Sequence, residues 1–133
     1  MRKINKCIVH CSDTPAGRDV DIKEIRRWHV EENGWSDVGY HFLIKLDGTI
    51  QIGRDIETVG AHTKGENKYS IGICYVGGAK GIDTRTVAQK VSLVYLIGTL
   101  KRIYTNIDVF GHRDFTNLKQ CPSFDAKHEY KNI

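Results

Sequence analysis

The chain has 133 residues, enough for one domain that buries a core of its own without disulfide staples. At 40% hydrophobic and 27% charged it has an ordinary globular balance, and its net charge of +4 is only mildly basic. No Lys/Arg block marks a nucleic-acid arm, no run approaches the roughly 18 apolar residues of a membrane helix, and MRKINKCIVHCSD lacks the apolar core of a secretion signal. The expectation is a single domain over 1–133, made in the cytoplasm, with no membrane span and no nucleic-acid partner.

Residues 4–11 (INKCIVHC) read as a strand buried on both faces, and strand alternation sends His10 and Cys11 to opposite sides. SDTPAGRDVD is a turn-rich loop. Asp21 with Glu24 then resembles a capping box, and Ile22, Ile25, Trp28 and His29 share one face of a helix of roughly three turns that stops at Asn33-Gly34. VGYHFLIKLDGTIQIGRD reads as a hairpin with Asp47-Gly48 as a type I′ turn. Alternation would put Tyr40, Phe42 and Ile44 on one face and His41, Leu43 and Lys45 on the other, so that Tyr40 and His41 do not line one pocket. ETVGAHTKGENKYS, with His62, Asn67 and Ser70, is either a binding loop or a solvated one. IGICYVGG follows as a central strand. Thr86 with Gln89 caps the longest helix, running to about Tyr104, with Val87, Val91, Val94 and Ile97 as its packed stripe. Residues 107–110 make the last strand, and 125–131 a short terminal helix. The order β-α-β-β-β-α-β predicts an α/β fold: a mixed central sheet with an antiparallel hairpin, flanked by helices on both faces.

The chemistry concentrates in GHRDFTNLKQCPSFD, from Gly111 to Asp125. His112 falls just past a strand end, where α/β folds place their reactive groups. His and Cys are the side chains Zn²⁺ prefers, which makes His112 and Cys121 candidate ligands. A third ligand has to come from far away, and His10 is the candidate; without the other two it reads as a satisfied core histidine. The four cysteines, Cys7, Cys11, Cys74 and Cys121, show no disulfide spacing and no C-x-x-C, and the first three read as buried free thiols.

The segments IVHCSDT, IRRWH, WSDVGYHFLIKLDGTI, GRD, VGAHTKGENKYSIGICYVGG, GHRDF and KQCPSFD occur in an order that resembles the zinc-dependent N-acetylmuramoyl-L-alanine amidases of the phage-lysozyme type. That family shares its fold with peptidoglycan recognition proteins. The resemblance runs nearly end to end. It implies one zinc per chain held by His10, His112 and Cys121, with Tyr40 and Lys119 as catalytic residues and His62 in the substrate groove. It further implies a monomer that binds peptidoglycan, cuts the amide between the muramic-acid lactyl group and L-alanine, and reaches the cell wall by release or export. No glutamate stands where some branches carry a general base. Two other readings stay open: a non-catalytic peptidoglycan-binding module, and a cysteine hydrolase built on Cys121 and His112.

Overall fold

A computed structural model describes all 133 residues. Five strands form one mixed sheet in the order β3-β2-β4-β1-β5. They are β1 Lys6–Cys11, β2 Phe42–Ile44, β3 Ile50–Ile52, β4 Ser70–Tyr75 and β5 Asp108–Gly111. β1 pairs in parallel with both β4 and β5, β2 pairs in parallel with β4, and only the β2–β3 hairpin is antiparallel. Three helices pack around the sheet: α1 Ile22–Arg27, α2 Val87–Ile103 and α3 Ala126–Glu129.

Alternation along the central strands builds two cores. Cys7, Val9 and Cys11 of β1 and Ile71, Ile73 and Tyr75 of β4 point to the α2 face, where they meet Leu93, Leu96, Ile97 and Leu100. Leu43, Cys74 and Val76 point the other way, onto Ile22 and Ile25 of α1. Helices therefore cover both faces, as the element order predicts. Cys7, Cys11 and Cys74 are buried free thiols.

α1 starts at Asp21, whose carboxylate accepts the Glu24 N–H at 2.9 Å. It widens into a π turn over Trp28–Glu32 and ends where Gly34 takes a φ of +72°. α2 has the full capping box of Thr86 and Gln89. Its buried stripe differs from the expected one. Val87, Val91 and Val94 are exposed, and of the expected stripe only Ile97 is buried, facing the sheet with Gln89, Leu93, Leu96 and Leu100. The helix carries apolar residues on two faces, and Gln89 selects between them by donating its amide N–H groups to Ile44 O and Val76 O.

The hairpin turn also differs. Type I′ needs left-handed backbone at both central residues, and only Gly48 has it, at +87°. The loop is the wider kind, closed by Gly48 N to Lys45 O and Lys45 N to Thr49 O.

Candidate metal centre

Three parallel strands end side by side, and their ends assemble the site. His10 is the penultimate residue of β1, on the face away from α2, and is buried. His112 opens a short 3₁₀ turn directly after β5, fixed by Asp114 accepting the Gly111 N–H at 2.8 Å. Cys121 returns beside both, because its carbonyl accepts the Arg113 N–H at 2.7 Å. The next residues are held as well: Tyr75 donates its hydroxyl to Pro122 O, and Ser123 donates its own to Gly78 O. One donor atom from each of His10, His112 and Cys121 lies within 4.8 Å of the other two. The sequence expectation that these three meet is met by the geometry.

Around them the molecule gathers imidazoles. Ring centroids run from His112 to His10 at 4.6 Å, from His10 to His62 at 4.9 Å and from His62 to His41 at 5.9 Å. Tyr40 packs on His10 at 5.0 Å and on His29 at 5.4 Å. Five of the six histidines thus share one cluster, leaving only His128 outside. Tyr40 and His41 both border it, Tyr40 against His10 and His41 against His62. They precede β2, so the two-residue period does not apply to them, and Tyr40 packs with the α1 core instead of with Phe42 and Ile44.

Burial sets the protonation of this cluster. It lowers the His10 imidazole well below its usual range, helped by His62 and His112, and takes His62 down to about 3. His112 is lowered by burial and then by the Lys119 ammonium. All three are neutral at pH 7, the form in which imidazole binds a metal. The adjoining Cys11 thiol and then burial push the Cys121 thiol up, while the Cys11 N–H points at its sulfur from 3.1 Å. Burial also raises the Tyr40 phenol well above its ordinary range, so it stays protonated.

His112 opens onto a cavity of about 350 Å³ lined by Thr63, Lys64, Phe115, Leu118 and Lys119. A neighbouring one of about 390 Å³ runs past Trp35, His62 and Asn67. Lys119 is exposed at the rim of the first. A larger cleft of about 500 Å³ lies on the far side of Cys121, beside Cys11 and Lys80. It reaches none of the imidazoles, so the chemistry belongs to the His112 side. Sequence reasoning missed that His29 and His41 join this cluster. No local signal marks them: Gly60, which leaves room for the His41 and His62 rings, and Gly72, which leaves room for His62, show that role only once the histidines are in place.

A His/His/Cys cluster at the ends of parallel strands, open to a cleft on one side, is a donor set of the kind that suits a metal ion. The sequence profile of the family described as N-acetylmuramoyl-L-alanine amidase matches residues 1–124. The endolysin of Escherichia phage T7 is 50% identical over 126 residues, covering 90% of this chain and 80% of that protein. Among solved structures, the N-acetylmuramoyl-L-alanine amidase LysC from Clostridium intestinale superposes with a TM-score of 0.82 at 30% identity, covering 96% of this chain and 82% of that one. The ectodomain complex of peptidoglycan recognition proteins LCa and LCx bound to tracheal cytotoxin superposes with a TM-score of 0.80 at 27% identity, covering 98% and 82%. The chain belongs to the N-acetylmuramoyl-L-alanine amidase family, and its activity is hydrolysis of the amide that joins the peptidoglycan stem peptide to muramic acid.

Proposed function

We propose that this amidase works with one zinc ion held by His10, His112 and Cys121, and that residues 1–133 act as one catalytic domain. The clustering of the three donor atoms within 4.8 Å carries this reading. Two neutral imidazoles and one thiol are a donor set suited to Zn²⁺, and three protein ligands with a fourth position free is the catalytic pattern. The donors are also supported from behind, His10 by His62 and Cys121 by the Cys11 N–H. When bound there, the ion supplies Lewis-acid chemistry: it polarises a carbonyl and acidifies water.

The chain's own residues do the rest. Tyr40, neutral and packed on His10, orients the attacking water and the lactyl carbonyl through its hydroxyl. Lys119, at the cavity rim, brings a cation to the oxyanion that forms as water adds to the carbonyl carbon. The C–N bond then breaks, the carboxylate stays on the lactyl group, and the proton passes to the departing L-alanine amine. The two cavities beside His112, with His62 in the wall of the second, accept the muropeptide. The protein acts as a monomer on the cell wall after release from the cytoplasm, in the manner of the endolysins it resembles.

Elemental analysis tests the ligand set. About one zinc per chain is expected, and His10→Ala, His112→Ala and Cys121→Ala should each lose it. Full zinc occupancy in Cys121→Ala would overturn the assignment. Chelation followed by zinc rescue of stem-peptide release from purified wall separates this reading from a cysteine hydrolase, which would be indifferent to the chelator.

A further inference from the structure

His62 is built into the molecule more firmly than a groove residue needs to be. Its backbone N–H and that of Thr63 both donate to Asn67 Oδ1 at 2.9 Å. Its ring lies edge-on to His10 at an interplanar angle of 88° and is almost fully buried. Space for the ring exists because two neighbours have no side chain. A Cβ on Gly72 of β4 would stand 2.6 Å from His62 Cδ2, and one on Gly60 would stand 2.7 Å from it. Real Cβ contacts are not that short, so any larger residue at either position displaces the imidazole.

Both ring nitrogens of His62 are engaged inside the protein. Nδ1 is 2.9 Å from His10 Nε2, and Nε2 is 3.3 Å from Ser70 Oγ. Thr63 Oγ1 reaches into the same junction, 3.1 Å from His62 Nδ1 and 3.3 Å from His10 Nε2. What His62 offers the cavity is therefore a ring edge, with no free donor or acceptor for a substrate. What it offers His10 is a hydrogen-bond partner at one nitrogen only.

From this geometry we infer that His62 is a positioning residue for the metal centre, fixing the tautomer and the ring angle of His10. The inference rests on the ligand reading above. A neutral imidazole has one N–H and one lone pair. With the proton on Nε2, His10 donates to His62 Nδ1 and keeps the lone pair of its own Nδ1 for a metal ion. His62 then carries its own proton on Nε2 and donates to Ser70 Oγ. The chain His10–His62–Ser70 runs in one direction and holds every proton in place. Metal-ligating histidines usually have such a partner, and its loss typically weakens metal binding by about 10–100-fold.

The test measures zinc affinity by chelator competition, together with the Co²⁺ absorption spectrum of the full chain. His62→Ala should weaken zinc binding by about 10–100-fold and alter the Co²⁺ bands. His62→Asn sets an amide oxygen near the position of Nδ1, so it should recover a large part of the affinity. Ser70→Ala, which leaves the imidazole in place, should cost several-fold, and this variant decides the matter if His62→Ala does not fold. Wild-type affinity and spectrum in His62→Ala, with a raised KM for muropeptide, would return His62 to the substrate groove. Equal loss in His62→Asn and His62→Ala would also overturn the inference, since it would show that a Nδ1-like acceptor does not matter. Failure of wild-type protein to take up zinc at all would instead strike the ligand reading itself.

Discussion

Tyr40 and Lys119 meet the site from opposite environments, and the difference predicts how each variant fails. Tyr40 touches His10 and His29 with its ring, so Tyr40→Phe keeps those contacts and deletes only the hydroxyl. Turnover should fall by roughly 10²-fold or more, the usual scale for a positioned acid–base group, with zinc content unchanged. Near-normal release of stem peptide by this variant would reduce the hydroxyl to a packing role. Lys119 is exposed, and in the mechanism proposed above it acts on charge that exists only as the carbonyl is attacked. Lys119→Ala should lose about 10²–10³ in kcat yet still bind muropeptide, because the ground state has no oxyanion. Calorimetric binding read beside stem-peptide release checks both halves, and matched losses would make Lys119 an anchor. The candidate ligands were legible because His112 and Cys121 share one polar loop past a strand end, and because the family resemblance joins His10 to them. The imidazole row was not, since a histidine in a polar loop such as His62 and one beside a strand such as His41 give no hint that they will touch.

At the scale of elements, the short α3 is too small to hold itself, and Arg85 fastens it. The Arg85 side chain is 2% exposed, donates to both carboxylate oxygens of Glu129 and to Tyr130 Oη, and pairs with Asp83. Its guanidinium also lies 3.4 Å from the centroid of Phe124. Arg85 hydrogen bonds hold Glu129 below its usual carboxylate range, and they do the same for Asp83, where they outweigh the opposing effect of burial. Both folded values lie below the unfolded ones, so the stabilisation is complete above the ordinary carboxylate range and is lost as pH falls from that range through the lowered folded values. Glu129→Gln should cost on the order of 1 kcal/mol at neutral pH, given that the Glu129 side chain is 44% exposed and screened by solvent. The gap from wild type in urea denaturation should narrow as pH falls below the ordinary carboxylate range; a gap independent of pH would mean that charge contributes nothing. Element positions were readable from caps and turn residues, and Thr86–Gln89 marked α2 to within a residue. Its orientation was not, since Val87–Val91–Val94 and Leu93–Leu96–Leu100 are equally good helical stripes. Only the carbonyls that receive Gln89, one on β2 and one just past β4, tell them apart.

The whole molecule is organised by the parallel order of its central strands. β1, the first to be made, sits between β4 and β5, so its two edges wait for partners that come much later in the chain. About a hundred residues separate His10 from His112, which at ribosomal speeds is roughly 5–20 s of synthesis. Through that interval an apolar strand has an edge open to whatever else can pair with it, and non-local parallel pairing is intrinsically slow. A chain cut after α2 should therefore be insoluble rather than partly active, which sedimentation of the truncated product would show. The same arrangement bears on when the centre can assemble. A nascent copy that has not yet reached β5 lacks His112 and Cys121, so on the ligand reading proposed above it holds one donor of three and has no cutting activity to turn on a wall.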